Sequence, residues 1–338
     1  MLSWTSETWP IGAALLQYPG TLPDGTSTTM ADDAAWAHVL REVRLAGFDH
    51  VDLTDTWLRV GDLHPARLHT LRQLLLEEGL GVSAVSVSRR SILDHDDAAA
   101  AANVAYSYRT IDAAAELGVG IVCLGLHQPL TADQQAAMWF WHEPGAADPD
   151  DPEVYRHAVT TFRELGTYAA ERGVALSLEM YEDTYLGTAD SCVRMITDIG
   201  LQNVGLNPDV GNLIRLHRPV EDWRTQFEKM LPHTNYMHVK NYYRDLDVAT
   251  GAYFSAPAPL ELGFINYRAV VEMALDAGFA GTFCVEHYGG DGLSVAARNR
   301  DYLRAILATK LALRAGAVTP RPEAAPCALT TAAGNNGQ

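Results

Sequence analysis

Apolar residues follow two alternating patterns along this chain, one spaced as in an amphipathic helix and one nearly continuous. Helical spacing over residues 34–44 is followed by the β-rich run AGFDHVDLTD. The same order repeats, and the later β-rich runs are GVSAVSVS, GVGIVCLGL, VALSLEM, NVGLNP, TNYMHVK and GTFCVEH. With an opening strand at residues 11–16 and a closing helix near residues 294–315, the pattern predicts eight strands and eight helices.

This alternation predicts an α/β fold, specifically a (β/α)8 TIM barrel that forms a single domain over residues 1–315. Strands that are apolar along their whole length are typical of a parallel sheet with both faces covered. Eight strand–helix units are the number that closes such a barrel. The alternative is an open doubly wound sheet, which normally carries a G-x-G-x-x-G turn after its first strand, and this sequence has no such turn there.

Two predicted connections, residues 127–152 and 241–263, are longer than the few residues usual in this fold. Both follow strands, and in a barrel the loops after strands form the face that carries the active site. We therefore expect both connections to contribute to a site. The last segment, residues 316–338, is rich in Ala, Pro, Thr, Gly and Asn and lacks apolar periodicity, which predicts a disordered tail.

The charge balance and the apolar content narrow the choice of partners. The chain carries 25 Lys and Arg against 42 Asp and Glu, a formal net charge of −17, which would repel a nucleic acid backbone. No run approaches the roughly 20 apolar residues of a membrane span, and the first residues lack the layout of a signal peptide. These features predict a cytoplasmic protein without a nucleic acid or membrane partner. The cysteines form no C-x-x-C pair, which indicates thiols without a shared role, at Cys123, Cys192, Cys284 and Cys327.

Residues able to bind a metal ion stand at the predicted ends of the last four strands. They are Glu179 in LSLEM, Asp209 in LNPDVGN, His238 in MHVKN and Glu286 in CVEHY. Because the strand ends of a barrel converge around one axis, we expect these four side chains to meet on a single divalent ion. Three carboxylates and one imidazole suit Mn²⁺ best, and Mg²⁺, Co²⁺ and Zn²⁺ are the alternatives.

The motifs LEM, NPDVGN, HVKN, ELGFINY and VEHYGGDG resemble those of the xylose isomerase-like barrel superfamily. These are the sugar phosphate isomerases/epimerases, which include ketose 3-epimerases and inosose dehydratases. The resemblance covers about residues 11–315. In that family the matching residues hold one divalent ion, which implies this role for Glu179, Asp209, His238 and Glu286.

The resemblance also implies a reaction, in which a proton next to a carbonyl of a sugar or cyclitol is removed through an enediolate to isomerise or epimerise the substrate. Glu179 and Glu286 would combine metal binding with acid/base catalysis. Arg244, six residues after His238, matches the position of a substrate-binding arginine in the epimerases. Lys240 is another candidate for substrate binding, with a structural ion pair as the alternative.

Two further positions are candidates for substrate binding. Asn212 stands where the epimerases carry a histidine that contacts substrate. Asparagine donates a hydrogen bond but does not titrate near neutral pH, so this departure weakens the prediction of a plain ketose 3-epimerase. His127, at the end of the fourth predicted strand, is the other candidate.

The first long connection contains an aromatic run, Trp139, Phe140 and Trp141, followed by His142. Such a run is expected to cover an aromatic aglycone, to contact a second subunit, or to pack back on its own barrel. If the run lines the site, His142 is a candidate catalytic base, because its ordinary pKa is near 6.5.

The aromatic run leads to an alternative resemblance, the catalytic subunit of bacterial C-glycoside deglycosidases. Members of that family bind a small β-sandwich subunit and cleave the C–C bond of a 3-keto C-glycoside by metal-dependent proton transfer, which is a lyase reaction. A non-catalytic barrel that binds a sugar or a partner is the second alternative. In each case we expect a carbohydrate-like ligand and an oligomeric protein.

Overall fold

Eight parallel strands lie at the centre of the fold, in a computed structural model that describes residues 4–316. They are β1 (Ile11–Ala14), β2 (His50–Thr54), β3 (Gly81–Ser86), β4 (Ile121–Leu124), β5 (Ala175–Glu179), β6 (Val204–Asn207), β7 (Met237–Val239) and β10 (Phe283–Val285). Their hydrogen-bonded order is β6-β5-β4-β3-β2-β1-β10-β7. A parallel bridge between Leu206 and Thr234 brings β6 to β7, so the sheet is a nearly closed barrel, and the predicted fold class is confirmed.

Helices follow the strands and cover the outside of the barrel. They are α1 (Asp33–Leu45), α2 (Pro65–Glu77), α3 (Asp97–Leu117), α5 (Pro152–Ala170), α6 (Ala189–Ile199), α8 (Trp223–Met230), α9 (Tyr267–Asp276) and α10 (Gly292–Arg314). Most begin at a polar residue whose side chain accepts a hydrogen bond from the first turn, as Asp96 and Thr188 do. Helices α3 and α6 end at glycines in the left-handed conformation, Gly118 and Gly200, which have φ of 75° and 70°.

The main hydrophobic core lies between the strands and the helices. The inside of the barrel holds a second, much smaller cluster, made of Ala14, Ala84, Cys123, Tyr236 and Cys284. Four of these five side chains are small, which leaves room for the Tyr236 ring inside the barrel. Polar side chains lie nearer the carboxyl ends of the strands. The barrel interior therefore supports a polar site directly above a packed layer.

The two long connections contain regular structure of their own. The first holds α4 (Ala132–Ala136) and a 3₁₀ turn at Phe140–His142. The second, expected as a loop, forms an antiparallel hairpin of β8 (Asn241–Asp247) and β9 (Ala252–Ala258). The hairpin lies outside the barrel sheet, and its strands contain both exposed and buried residues. They therefore lack the continuous apolar run that is typical of the barrel strands. A short helix, α7 (Gly211–Ile214), follows β6.

Several other expectations concern the rest of the chain. Residues 317–338 of the predicted tail, which include Cys327, lie outside the described residues. Cys123, Cys192 and Cys284 are buried and form no disulfide with one another. Within residues 4–316, no helix is long and apolar enough to cross a membrane.

Candidate active site

The four predicted metal ligands converge at the carboxyl ends of their strands. The Nδ1 atom of His238 lies 3.1 Å from Oε1 of Glu286 and 3.7 Å from Oε2 of Glu179. It lies 3.9 Å from Oδ2 of Asp209. All four side chains are buried. The side chain of Asn207 links the ends of β6 and β7 here, because its Oδ1 accepts a hydrogen bond of 2.7 Å from the His238 amide.

These residues fit a divalent cation. Within residues 4–316, neither Nδ1 of His238 nor Oδ1 of Asp209 has a hydrogen-bond partner, although both atoms are buried. A buried polar atom without a partner is costly, and a bound cation would remove that cost at both atoms. Ligand atoms of Glu179, Asp209 and His238 lie within 4.8 Å of one another. The oxygen-rich donor set suits Mg²⁺ or Mn²⁺.

The protonation of His238 depends on these neighbours. Burial lowers the pKa of the ring, but the carboxylate of Glu286 and the neighbouring side chains of Asp52, Cys284 and Glu179 raise it well above its ordinary value. A cation bound to Nδ1 would displace a proton from the ring. Cation affinity should therefore increase with pH.

Asp52 is a candidate functional residue that the sequence analysis missed. Its carboxylate is fully buried on β2 and lies 3.5 Å from Nε2 of His238, on the side of the ring away from the ligands. It accepts hydrogen bonds from Tyr236 (2.5 Å), Ser86 (2.6 Å) and Thr54 (3.1 Å). A carboxylate behind a ligating histidine fixes the orientation and tautomer of the ring. The available signal was an acidic residue between the apolar Val51 and Leu53 in the predicted strand.

Lys240 forms two ion pairs inside the site. Its Nζ lies 2.6 Å from Oδ2 of Asp209 and 2.6 Å from Oε2 of Glu286. Burial lowers the pKa of this ammonium group, but the two carboxylates raise it well above its ordinary value. Lys240 is therefore positively charged and neutralises part of the negative charge of the site. It also lines the cavity, so both of its expected roles are compatible with its position.

Two other predicted residues, Asn212 and His127, surround Glu179. Asn212 Nδ2 donates to Oε1 of Glu179 at 3.0 Å and to the carbonyl oxygen of Met180 at 2.9 Å. The His127 Nε2 atom lies 3.8 Å from Oε2 of Glu179. Burial lowers the pKa of His127 to about 4, so the ring is neutral at pH 7. Neither ring nitrogen of His127 has a hydrogen-bond partner in the described part of the chain, which leaves the ring free to bind a ligand.

A cavity of about 170 Å³ opens onto these side chains. This volume is below the roughly 300–1,000 Å³ typical of sites for drug-sized ligands. Besides the charged and amide groups described above, hydroxyl-bearing, aromatic and aliphatic side chains and one arginine line this cavity. The lining beyond the residues already described includes Leu16, Thr54, Thr56, Ser86, Ser88, Arg89, Leu130, Phe140, Tyr181 and Tyr288.

The aromatic run divides between the cavity and the protein interior. Phe140 lines the cavity. Trp141 is buried, and its Nε1 donates to Ser255 Oγ of the hairpin at 3.1 Å. Trp139 stacks on Trp141 with ring centroids 5.0 Å apart. The run therefore packs mainly on its own barrel and presents one ring to the cavity.

The structure does not bring His142 or Arg244 to this cavity. The 3₁₀ turn at Phe140–His142 directs Trp141 inward, and His142 stacks on His217 in a neighbouring cavity, with ring centroids 4.1 Å apart. Arg244 lies on the hairpin, where its Nη1 donates to the carbonyl oxygen of Ile214 at 2.7 Å. Its guanidinium also donates to the carbonyl oxygens of Leu216 and Arg218. Both Nη atoms therefore donate to backbone carbonyl groups at and after the end of α7, and not to the cavity.

The fold and the converging strand ends define a class of protein, the (β/α)8 barrels with a carboxylate-rich site at the end of the barrel. A family model for the xylose isomerase-like TIM barrel matches residues 40–306, and the chain belongs to this family. It is similar to a solved xylose isomerase-like TIM barrel protein from Mycobacterium smegmatis in complex with magnesium. The two are 45% identical, with a TM-score of 0.87 over 91% of this chain and 99% of that one.

Two epimerases are also similar to this chain, one over a short segment and the other over most of its length. The probable L-ribulose-5-phosphate 3-epimerase of Mycoplasma pneumoniae is 32% identical over 75 residues, which are 22% of this chain and 25% of that protein. The match thus spans about a quarter of this curated relative. A solved L-ribulose 3-epimerase is 18% identical, with a TM-score of 0.66 over 92% of this chain and 99% of that one, and this likeness concerns the fold alone.

Proposed function

We propose that this protein is a divalent-metal-dependent enzyme that removes the proton next to a carbonyl of a sugar or cyclitol and so isomerises or epimerises it. The observation that carries this proposal is the meeting of Glu179, Asp209, His238 and Glu286 around one point of a small polar cavity. The magnesium in the similar mycobacterial structure and the epimerase names of two relatives support it.

The four gathered side chains would hold the ion. When bound, a divalent cation polarises a carbonyl and a neighbouring hydroxyl group and so lowers the cost of removing the proton between them. Mn²⁺ is our first expectation from the donor set, and Mg²⁺, Co²⁺ and Zn²⁺ are alternatives.

The positions of Glu179 and Glu286 suit proton transfer at one carbon. Glu179 is the last residue of β5 and Glu286 follows β10. These strands are not neighbours in the barrel, so the carboxylates approach the cavity from different sides. One carboxylate takes the proton from one face of the substrate, and the other returns a proton to the opposite face, which is epimerisation. Asn212 orients Glu179 through its hydrogen bond to Oε1.

Neighbouring side chains would bind the substrate. His127 is neutral and has free ring nitrogens, so it is suited to hydrogen-bond a sugar hydroxyl group. The Lys240 ammonium is suited to stabilise negative charge that develops on a substrate oxygen. The cavity volume of about 170 Å³ favours a substrate of monosaccharide size.

A second candidate function is cleavage of a 3-keto C-glycoside. The aromatic rings of Phe140, Tyr181 and Tyr288 in the cavity wall favour it, because they offer a surface for an aromatic aglycone. This reaction would begin with the same proton removal, and His142 would serve as its base only if the aromatic run moved. The size of the cavity places this function second. An oligomer, a small second subunit and a cytoplasmic location stay predictions.

Solvent deuterium exchange tests the proposal. The purified protein is analysed for bound metal, loaded with Mn²⁺ or Mg²⁺, and incubated in D₂O with free ketoses, inososes and 3-keto C-glycosides. We expect deuterium to enter a free sugar, with interconversion seen by mass spectrometry and NMR. Release of an aglycone would instead support the second function, and absence of metal and of exchange would support a barrel that only binds a ligand.

A variant pair sharpens this test. We expect Glu286→Gln to abolish exchange while the protein remains folded, because the amide keeps the shape of the side chain but does not carry the proton. Glu228→Gln is the matched control, because Glu228 is exposed on α8. Exchange that is unchanged in Glu286→Gln would contradict the acid/base role of this residue.

A further inference from the structure

The turn after β3 holds Arg89 in an unusual backbone conformation. Its φ is +53°, in the left-handed region that residues other than glycine rarely adopt. The two neighbouring residues are fixed by the buried carboxylate of Asp55, which accepts from the Ser88 amide at 2.9 Å and from Nε of Arg90 at 2.7 Å. The turn is therefore tied down on both sides of Arg89, and the strained residue lines the cavity.

The guanidinium of Arg89 has no carboxylate partner in the described part of the chain. Its Nη1 donates to the carbonyl oxygen of Gln128 at 3.2 Å, and its Nη2 donates to the hydroxyl group of Tyr181 at 2.8 Å. Its Cζ lies 4.6 Å from the centre of the Phe140 ring. These contacts orient the group and leave its positive charge without a counter-charge at hydrogen-bond distance.

Other basic side chains near the site are paired. Arg90 pairs with Asp55, and Lys240 pairs with two carboxylates. Arg215, which is fully buried, pairs with Glu182 at 2.8 Å. A half-buried charge without a partner is unfavourable unless a ligand supplies the opposite charge. Arg89 thus differs from these basic residues both in its positive φ and in its lack of a carboxylate partner within residues 4–316.

The surroundings of Arg89 are suited to an anion. The hydroxyl-bearing residues Thr56 and Ser88 line the same cavity. Arginine with hydroxyl donors is a common setting for carboxylate and phosphate oxygens, because the guanidinium donates two parallel hydrogen bonds. Strand β3 is four places from β7 around the barrel, so the turn that carries Arg89 follows the strand opposite that of His238.

We infer that Arg89, Thr56 and Ser88 form an anion subsite, and that the substrate carries a carboxylate or phosphate group at the end opposite the carbon that loses its proton. The inference rests on the proposed function and deepens it, because it names a charged sugar as the substrate class. The strained turn keeps the guanidinium in place before the substrate arrives, so little ordering is required on binding.

Calorimetric titration of the full-length, Mg²⁺-loaded protein tests the inference with three probes of equal chain length. They are D-fructose, D-fructose 6-phosphate and D-fructuronate, which end in a hydroxyl, a phosphate and a carboxylate group. We expect at least one anionic probe to bind roughly 10- to 100-fold more tightly than D-fructose, and the preference to weaken as salt is added. The probe that gains most identifies the anion as phosphate or carboxylate.

Two substitutions separate charge from backbone strain. Both Arg89→Gln and Arg89→Gly should remove the preference for the anionic probe. The glycine variant also relieves the backbone strain, because glycine adopts positive φ freely. Arg41→Gln is the matched control, because Arg41 is exposed and pairs with Glu78. The control should keep the preference.

Three results would overturn the inference: equal or tighter binding of D-fructose, an anion preference that survives in Arg89→Gln, or no binding of any probe. The deuterium-exchange assay judges the proposed function separately. Exchange into a neutral sugar without any charge preference would refute the anion subsite alone. Arg89-dependent anion binding in a protein that neither holds metal nor exchanges deuterium would refute the metal-dependent reaction alone.

Discussion

Replacement of Asp52 by asparagine should weaken cation binding at a site that Asp52 does not itself touch. Asparagine has the shape of aspartate but no charge, and its amide group must face at least one of the donors that now point to the carboxylate. Those donors are Tyr236, Ser86 and Thr54, at 2.5–3.1 Å. The His238 ring, whose Nε2 lies 3.5 Å from Asp52, would lose the carboxylate that fixes its orientation.

The expected magnitude follows from the position of Asp52 behind a ligand. Loss of such a partner typically lowers metal affinity roughly 10- to 100-fold, which is about 1.4–2.7 kcal/mol of binding free energy. A loss of direct ligation should exceed this range, so His238→Ala serves as the upper reference. Because the cation competes with a proton on His238, wild type and variants are compared at each of several pH values.

Calorimetric titration of the metal-free protein with Mn²⁺ and Mg²⁺ measures the effect, and circular dichroism verifies that the variant is folded. Asp112→Asn is the matched control. Asp112 also accepts a hydrogen bond from a tyrosine, Tyr168 at 2.9 Å, and it is exposed on α3, away from the cavity. A folded Asp52→Asn protein that binds Mn²⁺ within twofold of wild type would refute the reasoning.

Three further predictions follow from the site and its surroundings. Free Mg²⁺ or Mn²⁺ at about 100 times Kd should raise the free energy of unfolding by about 2.7 kcal/mol. Calorimetry should then show a Tm about 5 °C higher than in EDTA, and equal Tm values would argue against a metal site in the native state. Arg215→Met leaves Glu182 buried and unpaired, so denaturant titration should show a loss of roughly 3–5 kcal/mol; a loss below about 1 kcal/mol would show that the pair is dispensable. His142→Asn should keep deuterium exchange within about twofold, because His142 lies in the neighbouring cavity, and a large loss would restore the catalytic role expected from the sequence.

The elements of the barrel were predictable because each carries its own local signal. The helix predicted over residues 34–44 is observed as Asp33–Leu45, and the run VALSLEM contains β5. The hairpin of β8 and β9 was not predicted. Its strands are exposed and stabilise each other outside the barrel, so their pairing is not expressed as a continuous apolar run.

The candidate site was predictable only in part. Glu179, Asp209, His238 and Glu286 could be grouped because a barrel places all strand ends on one face. Asp52 and Arg89 carried no comparable signal, because their roles depend on which neighbours the closed barrel gives them. Asp52 lies behind His238, and Arg89 lies in a strained turn beside the cavity.

The amino-acid sequence by itself determined the fold class, the order of strands and helices, and the set of candidate metal-binding side chains, because periodicity and residue type are local properties. The tertiary structure decided which side chains share one cavity. It directed Trp141 inward and His142 away and engaged Arg244 with backbone carbonyl groups. It left Arg89 without a carboxylate partner among residues 4–316. The direction of a side chain depends on turns and on packing between distant segments, and neither is written in the spacing of residues.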